Sequence, residues 1–242
     1  MRRPTAIFFD LDDTLASLNG ITPQAWADSC DAFLSVHPLG IPRDWLLQAV
    51  IDENDAFWAD EERSRLHRPN IPAARRLVVR QAMAGLGIAN EVLADELADR
   101  FTRRQLELNY LFPWTVDTLA ALRWEGVRLA LITNGSHERQ RGKLARYRID
   151  GFFEGIFIEG EQGYGKPDPR AYLHPLEVMG LAPEAVWMVG DNLAWEVEAP
   201  MKLGITGIWN DWEGKGLPPG CAIRPDRIIR RISELLPLPP AE

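Results

Sequence analysis

Ala6-Ile7-Phe8-Phe9-Asp10-Leu11-Asp12-Asp13-Thr14-Leu15 is the most informative segment of this 242-residue chain. Its first four residues are apolar without alternation, which reads as a strand buried on both faces of a parallel sheet. The run stops at Asp10, so the chain leaves the strand carrying Asp10, Asp12 and Asp13 together.

Four similar runs follow: Val127–Ile132, Ile156–Ile158, Val186–Val189 and Ile205–Trp209. From the second run onward, helical patterns separate them. Thr115–Trp124 carries Val116, Leu119 and Leu122 on one side, and Pro169–Met179 opens with proline in its first turn. Alternation of strand and helix predicts an α/β fold, a doubly wound, Rossmann-like parallel sheet.

Residues 17–111 break that rhythm with four helical patterns and no strand. Thr22 stands as an N-cap before Pro23, and Trp26, Cys30, Phe33 and Leu34 follow at helical spacing. Trp45, Leu46, Ala49, Val50 and Phe57 repeat the spacing after Pro42; a third helix follows Pro72. A fourth starts at Asn90, with Leu93, Leu97, Phe101 and Leu108 on one face. Such helices bury their stripes against one another, so 17–111 is expected to be an inserted helical-bundle cap on a core made of 1–16 and 112–242. The proline-rich tail Leu236–Glu242 is expected to be loose. Six arginines between Arg63 and Arg80 read as a solvated face balanced by Asp60-Glu61-Glu62.

A formal charge of −8 opposes binding to nucleic acid or anionic lipid. No apolar stretch is long enough to span a membrane, and Ala6–Phe9 is too brief for a signal peptide. Cys30 and Cys221 have no metal-type spacing and are expected to be free thiols of a cytoplasmic monomer or homodimer. Only four lysines occur: Lys143, Lys166, Lys202 and Lys215.

Each of four polar clusters follows a predicted strand: Asp10–Thr14, Thr133-Asn134-Gly135, Gly165-Lys166-Pro167-Asp168-Pro169, and Gly190-Asp191-Asn192 with Glu196 beyond. A parallel sheet gathers all strand C-termini on one edge, where ligands of open α/β sheets bind. Asp10, held rigidly at a strand end, suits a nucleophile, and Asp12 suits a general acid and base. Asp191 supplies a hard oxygen for Mg²⁺; Thr133 and the backbone at Asn134 can hold phosphoryl oxygens, with Lys166 adding positive charge. A carboxylate facing a phosphate dianion at ~4 Å is opposed by roughly 8 kcal/mol at an effective dielectric of ~20. That repulsion equals on the order of six decades of rate, so a small phosphorylated substrate requires the cations. Asp168 is read as the cap of the helix that follows it, and Thr14 as a residue that fixes its loop.

These four clusters, in order, resemble the signature motifs of the haloacid dehalogenase superfamily. The position of the helical insert matches the members with helical caps. Leu111-Phe112-Pro113 and the segment from Gly151-Phe152-Phe153 to Pro169 look most like the branch of N-acylneuraminate 9-phosphatase and pyrimidine 5′-nucleotidases. The resemblance implies a Mg²⁺-dependent phosphatase in which Asp10 forms an aspartyl-phosphate and Asp12 is acid and base. It implies Mg²⁺ on Asp10, the Asp12 carbonyl and Asp191, and the phosphoryl group on Thr133, Asn134 and Lys166. Glu196 stands where the superfamily usually has Asp. It is expected either to support the outer shell of the metal or steady Lys166, with thermal stability nearly unchanged on its loss if it sits at the open edge of the site, or to be an exposed helix carboxylate. Dehalogenation needs no acid at Asp12, and phosphonate hydrolysis needs a cap lysine that 17–111 lacks. A phosphomutase shares the core residues, and a non-catalytic phosphate-binding module is the reading from another class.

Overall fold

The computed structural model describes residues 1–240, with the side chains of Glu61 and Pro69 excepted. Ala241 and Glu242, the end of the expected loose tail, lie outside the described residues. The chain forms two compact units, one of Leu18–Tyr110 and one of Met1–Ser17 with Leu111 onward.

The unit Leu18–Tyr110 is helical: α1 (Thr22–Val36), α2 (Arg43–Ala59), α3 (Glu61–His67), α4 (Ile71–Gly85) and α5 (Glu91–Leu108). Its core gathers Trp26, Cys30, Phe33, Leu46, Val50, Met83, Leu97 and Phe101. Trp26 stacks on Phe101 with ring centroids 3.6 Å apart. Several sequence readings need correction here. Thr22 is the first helical residue, preceded by Ile21 at the cap, and its hydroxyl donates back to the Leu18 carbonyl at 2.9 Å. Trp45 is exposed rather than on the buried stripe. The short α3 escapes the apolar pattern because Leu66, its one large apolar residue, faces solvent; Asp60 caps it by accepting from the Arg63 N–H at 2.9 Å. Arg76 and Arg80 pair with Asp99 and Asp95 of α5 rather than with the acidic run that opens α3.

The second unit is built on six parallel strands: β1 (Ala6–Phe9), β2 (Arg128–Thr133), β3 (Gly155–Ile158), β4 (Val186–Gly190), β5 (Thr206–Asn210) and β6 (Arg227–Ile229). Their order is β3-β2-β1-β4-β5-β6. The five apolar runs are all strands, displaced by no more than one residue at either end. The edge strand β6 went unread because Arg-Ile-Ile between charged neighbours is too short for a pattern. Helices α6 (Thr115–Trp124), α7 (His137–Tyr147), the one-turn α8 (Glu159–Gln162) and α9 (Arg170–Met179) connect the strands. Pro169 precedes α9 instead of opening it, and Val116 is exposed.

Alternate residues of β1 go to opposite layers. Ile7 and Phe9 pack with Leu119 and Leu122 of α6 and Leu144 of α7; Ala6 and Phe8 pack with Tyr172 and Leu176 of α9. Both faces of the sheet are therefore covered, as a parallel sheet requires. Among the described residues no helix is long and apolar enough to cross a membrane, and Cys30 and Cys221 are free thiols.

Candidate active site

β1 lies between β2 and β4, and the strand order reverses direction at β1 and β4, the switch point where open α/β sheets bind ligands. Asp10 continues the β1–β4 ladder by one bond, its N–H donating to the Val189 carbonyl at 3.0 Å. The loop then turns sharply: Asp13 adopts φ +57°, and the Asp13 N–H reaches the Ala16 carbonyl at 2.6 Å. Asn210, leaving β5, donates its side-chain amide to the Asp13 carbonyl at 3.0 Å, which ties the loop to the sheet edge. Thr14 is buried, and among the described residues its hydroxyl has no hydrogen-bond partner.

Lys166 enters from the loop between α8 and α9. Its ammonium lies 2.6 Å from Asp10 Oδ1 and 2.6 Å from Glu196 Oε1, and its side chain is only 1% exposed. Asn134 sets that loop: its amide donates to the Lys166 carbonyl and its Oδ1 accepts from the Lys166 N–H, both at 2.8 Å. A Cβ on Gly165 would stand 2.5 Å from Asn134 Oδ1, so this staple needs glycine there. Because the Asn134 side chain is committed to Lys166, what Asn134 can offer a phosphoryl oxygen is its backbone. Asp168 does accept from the Arg170 N–H at 2.9 Å, as a cap of α9.

Glu196 sits in a π-helical turn, Leu193–Glu198, after β4. The turn is capped by Asn192, whose Oδ1 accepts from the Ala194 and Trp195 N–H groups at 3.0 and 3.1 Å. Glu196 Oε2 accepts from the Asn192 N–H at 2.8 Å. The exposed-carboxylate expectation fails: Glu196 is 1% exposed and locked in an ion pair. Gly190 makes this burial possible, since a Cβ there would come within 2.0 Å of Glu196 Cγ.

Residues 4–204 match the haloacid dehalogenase-like hydrolase family. The chain is a haloacid dehalogenase-like hydrolase. It is 39% identical to phosphoserine phosphatase of Thermus thermophilus over 88% of this chain and 90% of that one. It is 26% identical to N-acylneuraminate-9-phosphatase of Rattus norvegicus over 97% of this chain and 93% of that one. In fold it resembles a HAD-hydrolase from Bacillus subtilis bound to magnesium, with a TM-score of 0.75, 21% identity and 97% of each chain covered.

In this hydrolase Asp12 has cation partners of its own. Lys143 Nζ lies 2.6 Å from Asp12 Oδ1 and 2.7 Å from Oδ2, and Gln140 Nε2 lies 3.1 Å from Oδ2. Gln140 also donates to Thr133 Oγ1 at 2.5 Å and to the Asn134 carbonyl at 3.1 Å. Burial pushes the Asp12 carboxyl up, but the Lys143 charge and hydrogen bonds, with help from Arg139, hold it below the ordinary value. Sequence reasoning did not assign Lys143 or Gln140. The available signal was α7 itself, whose buried face carries Gln140 and Lys143 beside Leu144, polar where a packing helix is normally apolar.

Around Lys166 negative charge is in excess. Burial raises Asp10 despite the ammonium, with Asp12 adding to the rise. Burial also raises Asp191 well above the usual carboxylate range, reinforced by Glu196, Asp10 and Asp13. Glu196 is pushed up to about 7 by burial, which Lys166 only partly offsets. A hard divalent cation would relieve this crowding, and an oxygen-only donor set would suit Mg²⁺. Among the described residues no three His, Cys, Asp or Glu side chains group to hold a metal. A Mg²⁺ bound here would therefore take few carboxylates, with carbonyl, water and phosphate oxygens completing its shell.

Proposed function

We propose that this hydrolase is a Mg²⁺-dependent phosphatase that cleaves the monoester of a small phosphorylated metabolite through an aspartyl-phosphate on Asp10. The observation that carries the reading is that two carboxylates, two residues apart, have separate ammonium partners: Asp10 has Lys166 and Asp12 has Lys143. Separate environments allow separate roles. One oxygen of Asp10 attacks phosphorus; the bond from phosphorus to the ester oxygen breaks, and Asp12 gives that oxygen a proton. Water then attacks the same phosphorus, Asp12 takes its proton, and the bond to Asp10 breaks to release inorganic phosphate. The Lys143 ammonium favours the carboxylate form of Asp12, which accepts the water's proton in this second half.

Lys166 places positive charge beside the phosphoryl group, Thr133 and the Asn134 backbone supply donors, and Asp10, the Asp12 carbonyl and Asp191 would hold Mg²⁺. The metal, when bound, supplies charge that offsets the repulsion between carboxylate and phosphate. Glu196, taken up by Lys166 and Asn192, would act outside the metal's direct ligands. The helical unit 18–110 is proposed as a cap that selects substrate and excludes water, in a cytoplasmic protein with two free thiols.

The test is phosphate release from p-nitrophenyl phosphate and from a panel containing O-phosphoserine and N-acylneuraminate 9-phosphate. Asp10→Asn should abolish turnover and keep the fold, because the amide is nearly isosteric and a poor nucleophile. Retention of a tenth of the wild-type rate would remove Asp10 from the role of nucleophile.

A further inference from the structure

Lys143 is one of four lysines, and its side chain is 2% exposed, whereas Lys202 and Lys215 are open to solvent. Removing an ammonium from water is costly unless it is paired and hydrogen-bonded. Its partner here is a single carboxylate, Asp12, gripped through both oxygens at 2.6 and 2.7 Å. Gln140, one helical turn earlier on α7, adds a third contact at 3.1 Å and links the arrangement to Thr133. The Asp12 side chain is still 21% exposed, so the grip fixes it without sealing it away. By contrast, Lys166 is shared between Asp10 and Glu196.

We infer that Lys143, with Gln140 beside it, is the positioning residue for Asp12: it fixes the carboxylate where it can serve the leaving oxygen and then the attacking water. The inference rests on the phosphatase reading above. A carboxylate on a two-torsion side chain samples several rotamers unless it is pinned, and misplacement of about an ångström can cost two decades of rate. A two-point contact from Lys143 removes that freedom. Because α7 begins immediately beyond Thr133-Asn134, one helix sets both the acid–base carboxylate and the phosphoryl donors in register.

The experiment compares kcat/KM of wild type and Lys143→Met for p-nitrophenyl phosphate, whose leaving group needs little acid help, and for O-phosphoserine, whose alkoxide needs much. Lys143→Met should lower kcat/KM for the alkyl ester by about 10- to 100-fold and for the aryl ester by less than about fivefold. The KM values should stay within about threefold. In an Asp12→Asn background the same substitution should cost nothing further on either ester. Lys143→Gln, which keeps a donor toward Asp12 without the charge, carries the same comparison if Lys143→Met does not fold, with a smaller loss in the same direction. Equal losses on both esters, or an undiminished loss in the Asp12→Asn background, overturn the inference. A wild-type protein inactive on every monoester of the panel sinks the phosphatase reading and this inference with it. An active wild type with an unchanged ester ratio in the variant sinks this inference alone.

Discussion

Glu196 Oε1 and Asp10 Oδ1 each lie 2.6 Å from the Lys166 ammonium, so one buried cation is divided between a carboxylate at the end of β1 and one beyond β4. Sharing limits how far Lys166 can neutralise Asp10, which leaves the latter more nucleophilic than an exclusive pair would. Glu196→Gln would give Lys166 to Asp10 alone. The expected result is a fall of about tenfold in kcat and a several-fold higher Mg²⁺ requirement. Loss of one partner of a buried pair commonly costs ~3–5 kcal/mol, and Asp10 remains as a second partner, so a drop in Tm of about 5 °C is expected. Glu196→Asp keeps the charge at the length usual in the family and should be milder. Mg²⁺ titrations and thermal melts of all three proteins check this; superimposable curves would make the shared cation irrelevant to catalysis.

Gly190 and Glu196 form a matched pair in space. A methyl on Gly190 would meet Glu196 Cγ at 2.0 Å and Cδ at 2.8 Å, and the lysine and amide contacts leave the glutamate no alternative position. Gly190→Ala should destabilise by the ~1–3 kcal/mol of an overpacked core, a Tm loss of about 2–10 °C, and depress activity with it. Glu196→Ala in the same chain should recover part of the Tm without the activity. Differential scanning calorimetry of the single and double variants decides it. Full additivity of the two Tm losses would argue against a steric origin.

What could be read from the sequence was local. Ala6–Phe9 and the other four apolar runs announce a buried parallel sheet through composition alone, and each polar cluster adjoins its strand. Lys143 is not assigned from sequence because its partner Asp12 is 131 residues away, and the helix that carries it shows only a polar face where an apolar one belongs. Its rarity as one of four lysines was a signal, legible only once another lysine had been placed in the site. The burial of Glu196 is hidden for a different reason. A single π-helical turn after a glycine turns its side chain inward, and no periodicity of apolar residues records such a turn. The place of Asn134 after β2 points to its backbone as a phosphoryl ligand, while nothing local announces that its side chain staples the Lys166 loop.

Chelation tests the cation requirement. EDTA should abolish phosphatase activity, and Mg²⁺ should restore it. Ca²⁺ should fail or inhibit, because it accepts more ligands at longer distances and would misalign Asp10 and the phosphorus. Steady-state rates at fixed substrate, with chelator and with each cation in excess, give the answer. Full activity in EDTA would exclude a metal-assisted reaction.

Stability of the metal-free protein should fall as pH rises. A carboxyl whose value is raised in the folded state binds more protons folded than unfolded between its ordinary value and its raised one, so folding is favoured below that window and disfavoured above it. For Glu196 the window runs from the ordinary carboxylate range to about 7, and the raised Asp10 and Asp191 act with the same sign. Asp12, held low by Lys143, contributes the opposite slope, but only below the ordinary carboxylate range. In EDTA, Tm should therefore decline from about pH 5 to about pH 7.5. Mg²⁺ binds the ionised carboxylates, so the Tm increment it gives should grow across the same interval. Glu196→Gln removes one of the three raised groups and should flatten the EDTA profile. Thermal melts at several pH values, each with EDTA and with Mg²⁺, measure both slopes. A Tm in EDTA that rises steadily over this range would mean that the buried carboxylates around Lys166 are ionised at no cost to the fold, and that their crowding does not drive metal binding.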